Sequence, residues 1–274
     1  MTTASSNSSN AICFNLFFSH HRNRPVLMAE GPGGSGKGSL GEAIGYLLIG
    51  PKFHVTNAPS TAEQLAELMT GVPYVVFDEW DKIDHRTENA FKQLVTGGRH
   101  KRRELYTTAK VIELACDAAS FLATNANPMK QAGTSRRYIV LPIAPRQQAP
   151  GERVFRSASE SLIKSFLAVR TEMWLDLIAD LASCVCALAP TDPHTQTSFS
   201  LSDFGVFVQR VADYEGWGSD ASKLFVDTER QQQEQAAKAL TLGTLIPELL
   251  TTCPNLQGHF FMHQHGAKNF WPWW

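Results

Sequence analysis

The chain has 274 residues, 43% hydrophobic and 19% charged, with 19 Gly and 14 Pro; this composition excludes a fibrous repeat and an acidic disordered protein. At about 150 residues per domain it is enough for two domains, or for one large domain with appendages. A net charge of −1 excludes a chain coated in basic residues for bulk nucleic-acid packaging. That average hides an asymmetry: residues 1–150 hold 16 basic against 12 acidic side chains, and residues 151–274 hold 9 against 14.

No apolar run reaches the roughly 18 residues that mark a membrane span, so none is expected. Five cysteines, an odd number without repeated spacing, read as reduced thiols of a cytoplasmic protein. Cys184 and Cys186 lie in an apolar helical run with no second Cys/His pair nearby, which reads as core packing rather than zinc. Residues 1–24 are Ser/Asn-rich and read as a flexible N-terminus with a short apolar helix over Ala11 to Phe18, in preference to a transit peptide.

From there, short apolar runs alternate with helix-patterned stretches, the rhythm of an α/β fold with a parallel sheet. Pro25 to Glu30 reads as a buried strand, followed by a Gly-rich turn and a helix over Lys37 to Ile49. Phe53 to Thr56 is a short second strand, and Thr61 to Thr70 a helix capped by Ser60 with Glu63 completing a capping box. Pro73 to Phe77 is a third strand running into Asp78-Glu79. Thr87 to Val95 is a helix stopped by Gly97-Gly98, and a basic, hairpin-like segment follows. Ala119 to Ala123 and Arg137 to Leu141 are the fourth and fifth strands.

Past Pro150, residues 151–189 form a helical connector, one long or broken helix over Ser157 to Leu188. Residues 190–200 are a linker by composition. The rest of 190–274 is a small unit, helical or winged-helix-like, with helices near Leu201–Tyr214, Ala221–Ala239 and Leu242–Leu250 and an aromatic end. His259, His263 and His265 read as surface histidines in preference to a metal site.

The chemistry concentrates in residues 25–150. Gly31-Pro-Gly33-Gly34-Ser35-Gly36-Lys37-Gly38-Ser39 sits between a predicted strand and a predicted helix. Glycines there let backbone N–H groups and a helix N-terminus face an anion, while Lys37 reaches the β- and γ-phosphates. The residue after the lysine is Gly38 where a metal-binding hydroxyl is usual, so the hydroxyl is displaced to Ser39. Asp78, at the tip of its strand beside this loop, can organise Mg²⁺, and Glu79 can polarise an attacking water.

Asn125, ending the fourth strand, can hydrogen-bond that water or a γ-phosphate; an Asn-Pro turn is the plainer alternative. Arg136 and Arg137 need anionic company, either a neighbouring subunit's γ-phosphate or a local carboxylate. Arg99, Lys101, Arg102 and Arg103 put four positive charges in five residues, suited to a phosphate backbone, and Tyr106 adds a ring for base stacking.

In this order, Gly31 to Ser39, Asp78-Glu79, Lys92 to Gly98 with its basic continuation, Phe121 to Asn125 with Pro128, and Arg136-Arg137 resemble the superfamily 3 helicase ATPases of viruses, phages and mobile elements. The poxvirus-type and phage primase-helicases belong to that group. The matching motifs span about half the chain. The resemblance implies an AAA+ type P-loop ATPase core with a parallel five-stranded sheet. It further implies ATP and Mg²⁺ as cofactors, a hexameric ring with ATP bound between subunits, and a hairpin gripping single-stranded DNA in a central channel. Lys37 would be the phosphate lysine, Asp78 the Mg²⁺ organiser, Glu79 the water activator, Asn125 the γ-phosphate sensor and Arg136 or Arg137 the finger of the next subunit. Arg99, Lys101, Arg102 and Arg103 would face DNA. Since only about thirty residues precede the loop, a primase or origin-binding function is expected on a separate partner or in the C-terminal unit. Two other readings compete: an ATP-binding assembly or defence scaffold with slow hydrolysis, and a nucleoside monophosphate kinase, in whose loops Gly commonly follows the lysine.

Overall fold

The computed structural model describes residues 24–103, 111–116, 118–129, 131–145, 159–189 and 195–239. In chain order its elements are β1 (Val26–Glu30), α1 (Lys37–Leu48), β2 (Thr56–Asn57), α2 (Ala62–Leu68), β3 (Tyr74–Asp78), α3 (His85–Val95), β4 (Arg99–Arg103) and β5 (Val111–Ala115). Then follow β6 (Ala119–Thr124), α4 (Ala132–Ser135), β7 (Tyr138–Pro142), α5 (Ser159–Leu188), α6 (Ser202–Glu215) and α7 (Gly218–Ala239). Five strands form one parallel sheet in the order β2-β3-β6-β1-β7, while β4 and β5 make a separate antiparallel pair.

The central strands Val-Leu-Met-Ala, Tyr-Val-Val-Phe and Ser-Phe-Leu-Ala are apolar on both faces, as a parallel sheet covered on both sides requires. One face packs Met28, Val75, Phe77 and Leu122 against Leu65 and Met69 around α2 and Phe91 and Leu94 of α3. The other packs Leu27, Val76 and Phe121 against Tyr46 of α1 and Phe166 and Leu167 of α5. A third cluster joins α5, α6 and α7 through Leu177, Cys184, Phe204, Phe207 and Phe225. Cys184 is buried there, which pushes its thiol up to about 12.

The C-terminal helices dock on this sheet through polar groups as well. Arg170 Nε of α5 donates to the carbonyls of Tyr46 (2.8 Å) and Leu47 (3.1 Å), partnering the open C-terminal end of α1. Gln232 of α7, within the glutamine run 231–233, is buried and donates to the Tyr138 carbonyl of the edge strand β7 at 2.8 Å. No helix among the described residues is long and apolar enough to cross a membrane.

Local details differ from the sequence reading. The second strand is shorter and begins three residues later, at Thr56, because Phe53 is a core side chain: its ring fills the space over Gly45, edge-on to Tyr46. The α2 cap is Thr61, whose hydroxyl accepts from the Gln64 N–H at 3.1 Å, while Gln64 Oε1 reaches back to the Ser60 N–H at 2.9 Å. The cap therefore lies one residue later than Ser60, and the residue reaching back is Gln64 rather than Glu63, its bond going to the N–H that precedes the cap. Ser159–Leu188 is a single unbroken helix. Among the described residues no strand follows β7. Leu242–Leu250, the three C-terminal histidines and the terminal aromatic cluster lie outside the described residues, as do residues 1–23.

Trp80 anchors the chain just beyond the acidic strand end. It is 2% exposed and lies edge-on to Phe77 at 5.1 Å and Phe91 at 5.4 Å. Trp80→Ala should lower unfolding free energy by about 3–5 kcal/mol in denaturant titration, as loss of a buried Trp does; a change below about 1 kcal/mol would show the ring is not a core element.

Candidate nucleotide site and basic hairpin

Parallel pairing brings the C-terminal ends of β1, β6 and β3 to one edge, with Glu30 paired to Thr124 and β6 lying between the other two. The Gly-rich loop leaves β1 there and α1 begins at Lys37. Gly36 is its N-cap with φ 93°, a left-handed conformation that a side chain would strain, so the turn into the helix needs glycine. Gly34 is also left-handed, Gly33 is open to its surroundings, and a Cβ on Gly31 would strike the Ile143 carbonyl. The α1 N-terminus, with no side-chain cap and no acidic residue in its first turn, leaves its N–H groups for an anion. Ser35 Oγ is buried without a hydrogen-bond partner, a polar atom available to a ligand of this loop.

Lys37 is 8% exposed. Its Nζ donates to the carbonyls of Gly31 (2.7 Å) and Pro32 (2.8 Å) and to Asn125 Oδ1 (3.2 Å), which uses all three hydrogens of the ammonium. The loop thus supplies its own acceptors for the lysine. At Gly38, a Cβ would lie 3.0 Å from Asp78 Oδ2, so the Asp78 carboxylate sits against the α-carbon where a hydroxyl side chain would otherwise project. Ser39, about 100° further round the helix, is exposed.

Asp78 ends β3 half-buried, and its Oδ1 accepts from the Glu79 N–H at 3.1 Å. Glu79 is exposed and has φ 53°, alone among the described non-glycine residues in the left-handed region. Such a conformation costs on the order of 1–3 kcal/mol and persists only where neighbours over-determine it. Burial of Trp80 on one side and a 2.9 Å bond from the Asp81 N–H to the Glu79 carbonyl on the other hold it. The turn keeps the Glu79 carboxylate at the surface of the site and swings Asp81 back toward β6.

Asp81 is the residue that sequence reasoning missed. Its Oδ1 accepts from the Thr124 hydroxyl (2.9 Å) and the Asn125 N–H (2.9 Å), and its Oδ2 accepts from Asn125 Nδ2 (2.8 Å). The Asn125 backbone bond, then its side chain, Thr124 and the Lys37 charge hold the Asp81 carboxyl below the usual carboxylate range, against the opposing effect of burial. No spacing rule marks this aspartate; only the left-handed turn at Glu79 brings it here.

The two arginines part company. Arg137 is half-buried, its Nη1 donates to the Gly133 carbonyl, and its Nε is buried without a partner. Burial, then the neighbouring Arg136 charge, lowers its pKa from the ordinary arginine value. Arg136 is exposed and lines a cavity of about 550 Å³ with Ser135, Glu229, Gln232 and Gln233. Among the described residues no carboxylate forms an ion pair with either arginine.

The basic segment is β4. Gly97, left-handed at φ 77°, and Gly98 close α3: the Gly98 N–H bonds the Gln93 carbonyl at 2.9 Å and the Gly97 N–H the Leu94 carbonyl at 3.1 Å. A Cβ on Gly98 would sit 2.6 Å from the Gln93 carbonyl oxygen, so both glycines are needed to launch the hairpin. In β4, Lys101 pairs with Glu113 across the ladder, and Glu113 bridges Lys101 (3.0 Å) and Arg99 (3.4 Å). The Lys101 bond, followed by its charge and those of Arg99, lowers the Glu113 pKa. Arg102 and Arg103 continue the strand opposite Ile112 and Val111; Tyr106 lies outside the described residues.

Sheet, loop and helical C-terminal part together define an α/β P-loop NTPase-like core. Among the solved structures similar to it are the following two. The A form apo structure of the NrS-1 C-terminal region is 15% identical with a TM-score of 0.40, over 61% of this chain and 39% of that one. The SCCmec type IV Cch active helicase is 12% identical with a TM-score of 0.44, over 91% of this chain and 51% of that one. The chain thus spans about two fifths and one half of the lengths of these two proteins. No family model and no curated protein matches the sequence.

Proposed function

We propose that the chain is an ATP-dependent nucleic-acid motor of the superfamily 3 kind, hydrolysing ATP between subunits of a ring and moving on single-stranded DNA. The observation that carries this reading is the convergence of Lys37, Asp78 and Asn125 at one sheet edge, with Lys37 bonded to Asn125 and Asp78 against Gly38. On this reading Lys37 exchanges loop carbonyls for phosphate oxygens, Ser35 gains the partner it lacks, and the α1 N-terminus faces the phosphates. Glu79 takes the proton of the attacking water, Asn125 meets the γ-phosphate, and Arg136 reaches the neighbouring subunit's site.

The donors also fit Mg²⁺, which would be held by Asp78 with Ser39. Among the described residues no group of three or more His, Cys, Asp or Glu forms a metal cage, and Mg²⁺ suits a site of one or two carboxylates completed by phosphates and water. When bound, the ion neutralises charge on the phosphates.

The hairpin would grip the strand. Its pairs to Glu113 are exposed and weak, so a phosphate backbone can compete with the carboxylate for Arg99 and Lys101. Glu113→Gln should therefore tighten single-stranded DNA binding and steepen the salt dependence by about one in log–log slope. Unchanged affinity and slope, measured by fluorescence anisotropy across salt, would remove the hairpin from the DNA interface.

One observation favours a second reading, an ATP-binding assembly module with slow hydrolysis: Gly38 offers no metal-binding hydroxyl, and the Asp78 carboxylate lies against it at 3.0 Å from where a Cβ would be. Sizing the full chain with and without a non-hydrolysable ATP analogue and a short DNA single strand tests the ring. Assembly on adding both supports it, and a persistent monomer overturns it. Assembly driven by ATP without any hydrolysis selects the module.

A further inference from the structure

Asn125 sits between a group that can only accept hydrogen bonds and one that can only donate them. The Asp81 carboxylate takes its Nδ2 hydrogen at 2.8 Å, and the Lys37 ammonium donates to its Oδ1 at 3.2 Å. A carboxamide in that position has one allowed orientation, because the flipped amide would set donor against donor at Lys37 and acceptor against acceptor at Asp81. The same carboxylate holds the Asn125 backbone N–H and the Thr124 hydroxyl, so both main chain and side chain of the strand tip hang on one residue.

We infer that Asp81 is a positioning residue of the nucleotide site, setting the Asn125 amide so that its carbonyl holds Lys37 and its second Nδ2 hydrogen is left for a phosphate oxygen. This rests on the proposed ATPase reading and adds to it a residue outside the acidic pair. The depressed Asp81 pKa is consistent with a charge kept for this purpose. Thr124, whose single hydroxyl hydrogen is shared between Asp81 Oδ1 and the Ala126 carbonyl, supports the same carboxylate from the strand.

Asp81→Asn is the decisive variant, because it keeps the shape and two acceptor bonds but places an NH₂ donor against Asn125 Nδ2. The Asn125 amide must then flip and turn a donor toward Lys37. In the full chain, with ATP and a short DNA single strand, kcat should fall about 10- to 100-fold, the range in which groups that orient a contact residue act, while KM for ATP moves less than about threefold. Asp81→Asn combined with Asn125→Ala should be no worse than Asn125→Ala alone, since one residue acts through the other. Thr124→Val, a milder variant that keeps the charge, should lower kcat about 3- to 10-fold and stands in if Asp81→Asn does not fold. Additive losses, or an unchanged kcat in both variants, would overturn the inference.

A measurement without turnover separates this from failure of the ATPase reading. In protein labelled with nitrogen-15 on asparagine, the Asn125 side-chain amide resonance, assigned by its loss in Asn125→Ala, should sit away from the solvent-exposed amide position and return to it in Asp81→Asn. A displaced resonance in a chain that never hydrolyses ATP condemns the motor and keeps the positioning. A resonance indifferent to Asp81→Asn condemns the positioning alone.

Discussion

Glu79→Gln is expected to lower ATP turnover by about 100- to 10,000-fold, the range for loss of a positioned general base, while nucleotide affinity stays within about threefold of wild type. The split follows from where Glu79 sits. It is exposed at a left-handed turn, and the contacts that hold Lys37, the Gly-rich loop and Asn125 do not pass through its side chain. Gln is isosteric and adopts the same backbone with the same strain, so the fold should melt at the wild-type temperature. Turnover by single-turnover kinetics and affinity by a fluorescent ATP analogue read the two effects separately. Retained turnover would take the water-activating role from Glu79.

Arg136→Ala is expected to cost about 1,000- to 100,000-fold in turnover if its guanidinium completes a neighbour's site, the magnitude of an arginine finger. Arg137→Ala should act differently, because Arg137 is half-buried and tied to the Gly133 carbonyl, whereas Arg136 is exposed in its cavity. Loss of Arg137 should lower the melting temperature with a smaller effect on chemistry. The two defects in trans are separable by mixing. Arg136→Ala subunits keep an intact Glu79, and Glu79→Gln subunits keep an intact finger. An equal mixture should therefore regain about a quarter of wild-type activity when interfaces form at random in a head-to-tail ring. No recovery on mixing would place Arg136 in its own subunit's chemistry or outside it.

The α/β P-loop core was legible because its signals are local: apolar runs of strand length, a Gly-rich turn between strand and helix, and Gly97-Gly98 at a helix end. Phe53 was misread as strand because a lone aromatic beside Val55 has the composition of a strand, and only the bare surface of Gly45 makes it a core plug. Ser60, Thr61, Glu63 and Gln64 offer two overlapping capping boxes, and composition does not choose between them.

At the site, the sequence named the groups that the sheet brings together at the loop, because strand ends in a parallel sheet share an edge. Asp81 was invisible for the opposite reason. It reaches Asn125 by a turn forced by Trp80 burial and a left-handed Glu79, and neither follows from residue type. Gln232 was hidden in the same way: a glutamine run carries no periodic signal, and its partner is a carbonyl on an edge strand 94 residues away.

Steady-state ATP hydrolysis by the wild-type chain, with and without a short DNA single strand, tests the central claim most directly. The account predicts hydrolysis that rises on adding the single strand and is lost in Glu79→Gln. A rate indifferent to DNA, or vigorous phosphoryl transfer to AMP in its absence, would contradict it.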